Sequence, residues 1–236
     1  MAKERFDKII ANQFNISRKD ARIAIKRGKG MVDGLVVKDP SFAVDTESEI
    51  LFDGQAMEYK KFIYILMNKP KGVLSASTDK NRKTVVDLVP TEWRRNGLFP
   101  VGRLDKDTTG FLIITDDGDF AHKAIAPNKN VYKTYIVTLD GEVTDQMIEL
   151  FANGVTLADG TVCKKAILKP LGNCMAEIKI SEGKFHQIKR MFGTVGLGVN
   201  ELKRVAIGGL CLPADLQEGQ SKLLNNEEIC AIFSNC

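Results

Sequence analysis

The chain has only two histidines in 236 residues, His122 and His186, and none of its five cysteines forms a Cys-x-x-Cys pair. Zinc sites draw on closely spaced Cys and His, so no metal centre is expected. Cys163, Cys174, Cys211, Cys230 and Cys236 are odd in number and scattered, which suits reduced thiols in a cytoplasmic protein better than a disulfide framework. No apolar run approaches the ~18 residues of a membrane span. The opening residues Met1-Ala2-Lys3-Glu4-Arg5 lead into an amphipathic pattern without an apolar leader. The glycine patterns of dinucleotide-binding and P-loop folds are also missing, so no phosphate-bearing cofactor is expected. These absences leave a cytoplasmic globular protein, expected to be a monomer, with neither cofactor nor membrane partner.

Charge, by contrast, is plentiful and segregated. Residues 1–30 carry nine Lys or Arg against three acids, whereas residues 31–59 carry one Lys against seven acids. Such a split directs one face at a polyanion. Ser17 is a suitable N-cap with Asp20 three residues on, and Ile16 and Ala21 take the positions of a hydrophobic staple. A helix therefore starts at residue 18 and ends at Gly28-Lys29-Gly30. Arg18, Arg22, Lys26 and Lys29 share one face of it, a repulsive arrangement for an isolated helix and a useful one against phosphates. A preceding amphipathic helix over about residues 4–14 is marked by Phe6, Ile9, Ile10 and Phe14. Asp33-Gly34 and Asp53-Gly54, each between apolar residues, read as hairpin turns.

A domain boundary is placed after residue 59, near Lys60-Lys61, giving domains of residues 1–59 and 60–236. Beyond it, a buried strand over 62–67 stops at Asn68-Lys69-Pro70. Further strands are expected at about 111–115, 131–139, 165–171 and 174–180, with helices at about 117–125, 144–153 and 184–195. The fold class is therefore α+β, the larger domain being a mixed, mostly antiparallel sheet with flanking helices.

Chemistry concentrates in Gly102-Arg103-Leu104-Asp105-Lys106-Asp107-Thr108-Thr109-Gly110, a turn-rich loop before an apolar strand. Loops anchored to a strand are a common seat of catalytic residues, although two acids beside an arginine also make ordinary turns and surface ion pairs. Strand alternation puts Lys133, Tyr135, Val137 and Leu139 on one face, where Tyr135 suits either a core or a stacked base. Helical spacing groups Phe185, Ile188 and Phe192 as a buried stripe with Lys189 at its edge and Arg190 turned away. A lysine at a core edge calls for an anionic partner.

Two resemblances follow from these residues. Arg5-Phe6-Asp7, Ser17-Arg18, Ala21, Ile25, Gly28, Val32-Asp33-Gly34 and Ile50 resemble an S4 RNA-binding domain. The Gly102–Gly110 loop, Lys133-Thr134-Tyr135, Glu182–Phe192 and Leu202–Leu210 resemble the pseudouridine synthases, most of all the ribosomal small-subunit pseudouridine synthase A family. The resemblance implies a cofactor-free isomerisation in which the uridine glycosidic bond breaks, the uracil turns, and carbon 5 joins the ribose. It implies Asp105 as the essential carboxylate, Tyr135 packed on the uracil, and Lys189 as the cation paired with Asp105. Arg103 helps fill the space the base vacates, and Leu202 walls the pocket. RNA contacts fall to Arg18, Arg22, Lys26, Lys29 and Arg190, while Asp107, His122 and the cysteines are structural, and His186 serves packing or RNA contact. The implied partner is 16S ribosomal RNA or its assembly intermediate. A large-subunit rRNA target and a non-catalytic RNA-binding role remain the alternatives, the latter disfavoured by the intact set Asp105, Tyr135 and Lys189.

Overall fold

A glycine decides how the N-terminal part of the chain packs. In the computed structural model, which describes residues 3–57, 59–126 and 130–234, a Cβ on Gly30 would run into the Phe6 ring. Its absence lets the following strand lie over the buried face of the first helix. The elements here are β1 (Lys3–Arg5), α1 (Phe6–Gln13), α2 (Arg18–Lys26), β2 (Gly30–Val32), β3 (Leu35–Val36), β4 (Ala43–Asp45), β5 (Ile50–Phe52) and β6 (Gln55–Met57). The residues before Phe6 are thus strand rather than the helix expected from about residue 4; they pair antiparallel with β4. The other strands form a sheet in the order β3-β2-β5-β6. Both Asp-Gly pairs are its hairpin turns, with positive φ at Asp33, Gly34, Asp53 and Gly54. Ser17 caps α2 by accepting from the Asp20 backbone N–H at 3.1 Å. Phe6, Ile9, Ile10, Ala21, Ile25, Ile50 and Phe52 form the core.

The chain divides into two compact units, one built from residues up to Ile63 together with Pro90–Leu98, the other from Tyr64–Val89 and Phe99 onward. The boundary expected after residue 59 therefore moves, and a segment thirty residues away in sequence joins the first unit. Hydrogen bonds explain the recruitment. Arg95 donates to the carbonyls of Lys60 and Lys61 at 2.8 and 3.0 Å, and Asn96 donates to those of Ala11 and Ile16.

The second unit holds β7 (Tyr64–Lys69), β8 (Phe99–Pro100), β9 (Thr109–Thr115), α3 (Gly118–Ile125), β10 (Lys133–Leu139), α4 (Asp145–Asn153), β11 (Ile167–Gly172), β12 (Met175–Ile180), α5 (Gln187–Thr194), β13 (Val199–Ile207), β14 (Leu210–Cys211), β15 (Ser221–Leu223) and α6 (Asn226–Ala231). Seven strands run in the order β11-β12-β10-β13-β9-β7-β15, with β14 beside β13 and β8 beside β9. Every pairing is antiparallel except β13 with β9. That mixed, mostly antiparallel sheet with flanking helices is the expected class. The parallel junction is tight: a Cβ on Gly110, whose φ is +100°, would meet the Arg204 carbonyl. Leu66, Phe111, Ile113, Phe120 and Ile207 form the core on one side of the sheet. Asp117 and Thr144 cap α3 and α4 with their side chains. Among the described residues no helix is long and apolar enough to cross a membrane. Cys236 lies outside the described residues.

Candidate active site

The loop between β8 and β9 is held by its backbone, which leaves its acidic side chains outward. Ser75 clamps Leu104 from both sides: its hydroxyl donates to the Leu104 carbonyl at 2.9 Å and accepts from the Leu104 N–H at 3.1 Å. Two residues past Leu104, the Lys106 carbonyl accepts from the Gly72 N–H at 2.8 Å. Beneath the loop, the fully buried Lys69 donates its ammonium to the carbonyls of Pro70, Lys106 and Thr108 at 3.0, 3.2 and 2.9 Å. Burial lowers the Lys69 pKa to about 8, against the opposing pull of Asp107 and Asp105. Leu104 and Thr108 are buried while Asp105 between them is partly open, its side chain 30% exposed. The loop thus presents two carboxylates, Asp105 and Asp107, from a hydrogen-bonded frame.

Two strands and one turn complete the surroundings. Tyr135 on β10 is buried opposite Arg204 on β13, and Leu202 lies two residues before Arg204. Arg204 is itself buried: its Nε donates to the Phe111 carbonyl at 2.7 Å, its Nη1 points to the Tyr135 hydroxyl at 3.5 Å, and its guanidinium lies 5.9 Å from the Tyr135 ring centroid. The turn 182–187 closes on itself. Gln187 donates to the buried Glu182 carboxylate at 2.9 Å and accepts from the Lys184 N–H at 2.9 Å. Arg103, Asp105, Tyr135, Lys189 and Leu202, all named from the sequence, line one small pocket of about 70 Å³. It adjoins an open cleft of about 810 Å³ that shares Arg103, Asp105 and His186. No cluster of metal-binding side chains occurs among the described residues.

Around that pocket the ion pairs differ from those expected. Lys189 donates to Asp107 at 3.1 Å, not to Asp105, and this contact is the leading cause of a lowered Asp107 pKa. The side chain beside Asp105 is His186, whose Nε2 is 3.6 Å from Oδ1, an ion pair only if the imidazole is protonated. Phe185 is not part of a buried stripe. Helix α5 begins at Gln187 rather than near 184, because His186 adopts a left-handed conformation, φ 48° and ψ 33°. That residue turns Phe185 outward to 76% exposure and leaves Gln187, Ile188, Met191 and Phe192 as the buried face. Arg190 does not face solvent alone; it pairs with Asp159 at 2.5 Å. Sequence reasoning passed over Lys69, Ser75 and Arg204. The signal for Lys69 was its place at the end of an apolar strand, read there as a stop.

The basic face of the first unit is organised around an anion. Asp7 has a fully buried side chain that receives Arg5, Arg18 and Arg22 at 3.0, 3.0 and 2.7 Å, each arginine about half exposed. Burial alone would raise the Asp7 pKa, but hydrogen bonds from the three arginines outweigh it and hold the carboxyl well below the usual carboxylate range. Lys29 pairs with Asp53 at 2.8 Å, and Lys26 is exposed. Arg18 and Arg22 are therefore spaced and aimed by a buried acid while part of each guanidinium still meets solvent.

Comparison with known proteins shows which family the whole chain resembles. A family model described as RNA pseudouridylate synthase matches residues 63–194. An RNA pseudouridine synthase of Bacillus subtilis (strain 168) is 42% identical over 230 residues, covering 95% of this chain and 96% of that protein. The ribosomal small subunit pseudouridine synthase A of Escherichia coli (strain K12) is 38% identical over 232 residues, covering 97% and 99%. A crystal structure of a pseudouridylate synthase superposes with a TM-score of 0.67 at 33% identity, covering 97% of this chain and 99% of that one.

Proposed function

The chain belongs to the RNA pseudouridylate synthase family, and on that premise we propose that it isomerises a specific uridine of 16S ribosomal RNA, with Asp105 as the essential carboxylate and no cofactor. The observation that carries the reading is the convergence of Arg103, Asp105, Tyr135, Lys189 and Leu202, from four separate stretches of sequence, on one pocket. Likeness along nearly the whole chain to a small-subunit enzyme supports the substrate.

The reaction breaks the bond from the ribose to N1 of uracil and joins the same ribose carbon to C5, with the C5 proton leaving at the end. A carboxylate serves this chemistry as a nucleophile or as a base, and either use needs an anion presented from a fixed backbone. Ser75 and Lys69 supply that fixity. The target nucleotide leaves its stack at a cost of a few kcal/mol; Tyr135 offers a ring against the uracil and Leu202 an apolar wall. Lys189 holds positive charge next to Asp107, and the His186 imidazole stands beside Asp105. Arg103, exposed at the rim, fills the vacated space in the RNA. Arg18, Arg22, Lys26 and Lys29 of the S4-like first unit, with Arg190, contact phosphates.

The test is carbodiimide labelling and primer extension on rRNA incubated with the purified protein. A single new stop in 16S rRNA is expected. A stop in 23S rRNA instead would transfer the activity to the large subunit, and no stop in either would remove the enzymatic reading.

A further inference from the structure

Phe185 is 76% exposed, more than any other large apolar side chain among the described residues, and it stands on the wall of a cleft. Phe185 is held there by construction. His186 in the left-handed region turns the backbone so that the two rings stack on each other, with centroids 3.8 Å apart and planes 20° from parallel. Such a conformation is strained for a non-glycine residue, and strain of this kind collects at functional sites. The pair stands on the wall of the open cleft that contains Asp105, and His186 is itself 3.6 Å from that carboxylate. Arg103, Lys106 and Lys184 also line the cleft.

We propose that the stacked Phe185–His186 pair is a platform for an unpaired nucleobase next to the target uridine in the same RNA strand. This inference rests on the synthase reading and adds a second base site to it. An aromatic face beside cations is what single-stranded RNA needs, since each base has a stacking face and each nucleotide brings a phosphate. Extruding the target leaves its neighbour unstacked on one side, and the open face of Phe185 replaces the lost stack. His186 then links the two sites, because the ring beneath the platform is the one that faces Asp105.

A Trp reporter tests the platform without turnover. In a Trp93→Phe, Phe185→Trp protein the only indole sits at the platform, and the 76% exposure of Phe185 makes the exchange tolerable to the fold. Titration with poly(U) should quench its fluorescence, whereas inorganic polyphosphate at equal charge should not. Equal responses to the two polymers, or none to either, would overturn the proposal. On wild-type Trp93 protein, Phe185→Ala should raise the half-saturating 16S rRNA concentration about tenfold, the weight of roughly one stacked base, and Phe185→Trp should restore it. An unchanged half-saturation in Phe185→Ala would also overturn the platform. If wild-type protein forms no pseudouridine in rRNA while poly(U) still quenches the reporter, the synthase reading fails and the base site stands.

Discussion

The two units solve one electrostatic problem in opposite ways. In the first, a buried anion, Asp7, gathers three half-exposed arginines. In the second, a buried cation, Lys69, gathers three backbone carbonyls and holds a loop whose carboxylates, Asp105 and Asp107, stay open. The interior charge in each case fixes the geometry of an opposite charge meant for the outside. Unit one presents cations and unit two presents an anion, and on the proposed reading the first would face RNA phosphates and the second the target uridine. In both units the hidden charge is the structural element, and the opposite charge or dipole it holds is the one left near solvent.

The largest effect should come from the presented anion. Asp105→Asn keeps size and hydrogen bonding but removes the charge, and pseudouridine formation should fall below detection by primer extension while the melting temperature stays unchanged. Activity within about tenfold of wild type would take Asp105 out of the chemistry. Next comes the hidden cation. Lys69→Met strands three carbonyls, at a cost of about 1–3 kcal/mol in stability. The shifted loop should slow single turnover about a hundredfold. Lys69 also sets a pH limit. Raising pH through its value of about 8 removes the ammonium and should lower the rate. Its contribution to stability nevertheless grows over that range, because the unfolded chain still holds a proton, up to about 10.4, that the folded one has shed.

The hidden anion should give a smaller effect, confined to the first unit. Asp7→Asn leaves three arginines without their acid, but these are half in solvent, so a loss of about 2 kcal/mol is expected, less than for a fully buried pair. Urea unfolding followed by Trp93, which belongs to this unit, measures it. In wild type the Asp7 contribution is present above about pH 4, the unfolded value, and drains away as pH falls toward the depressed folded value. The Asn variant should lack that acid-dependent component. Asp107→Asn, which releases Lys189, should keep activity within about tenfold, whereas Lys189→Met should cost more; the reverse order would make Asp107 the more important partner. The smallest effect belongs to the presented cations. Each of Arg22→Ala and Lys26→Ala should flatten the slope of log affinity against log salt by roughly 0.7–0.9, and no change in slope would leave this face merely solvated.

Much of this was legible without a structure. Asp33-Gly34 and Asp53-Gly54 announced their hairpins because both residues tolerate positive φ, and Ser17 announced its helix because a cap is a local hydrogen bond. The strands around 111–115, 131–139 and 174–180 were apolar or alternating over their whole length. β13 was not read as a strand, since Asn200, Glu201, Lys203 and Arg204 break up its apolar pattern. It is nevertheless the strand that joins β10 to β9 and carries Leu202 and Arg204.

What the sequence determined by itself, then, is what depends on neighbours in the chain: the caps, the turns, the strand faces, the charge segregation, and the motif residues that the pocket brings together. Only the tertiary structure decided the partners. Lys189 meets Asp107, 82 residues away, Arg18 and Arg22 meet Asp7, and Arg95 closes on Lys60 and Lys61. The start of α5 also escaped the sequence, because a left-handed His186 is held by the closed turn that Glu182 and Gln187 make. The physical reason is the same throughout. Side-chain periodicity encodes which face is buried, whereas the partner of a charge depends on which chain segments the folded core brings within a few ångströms, and no local pattern records that distance.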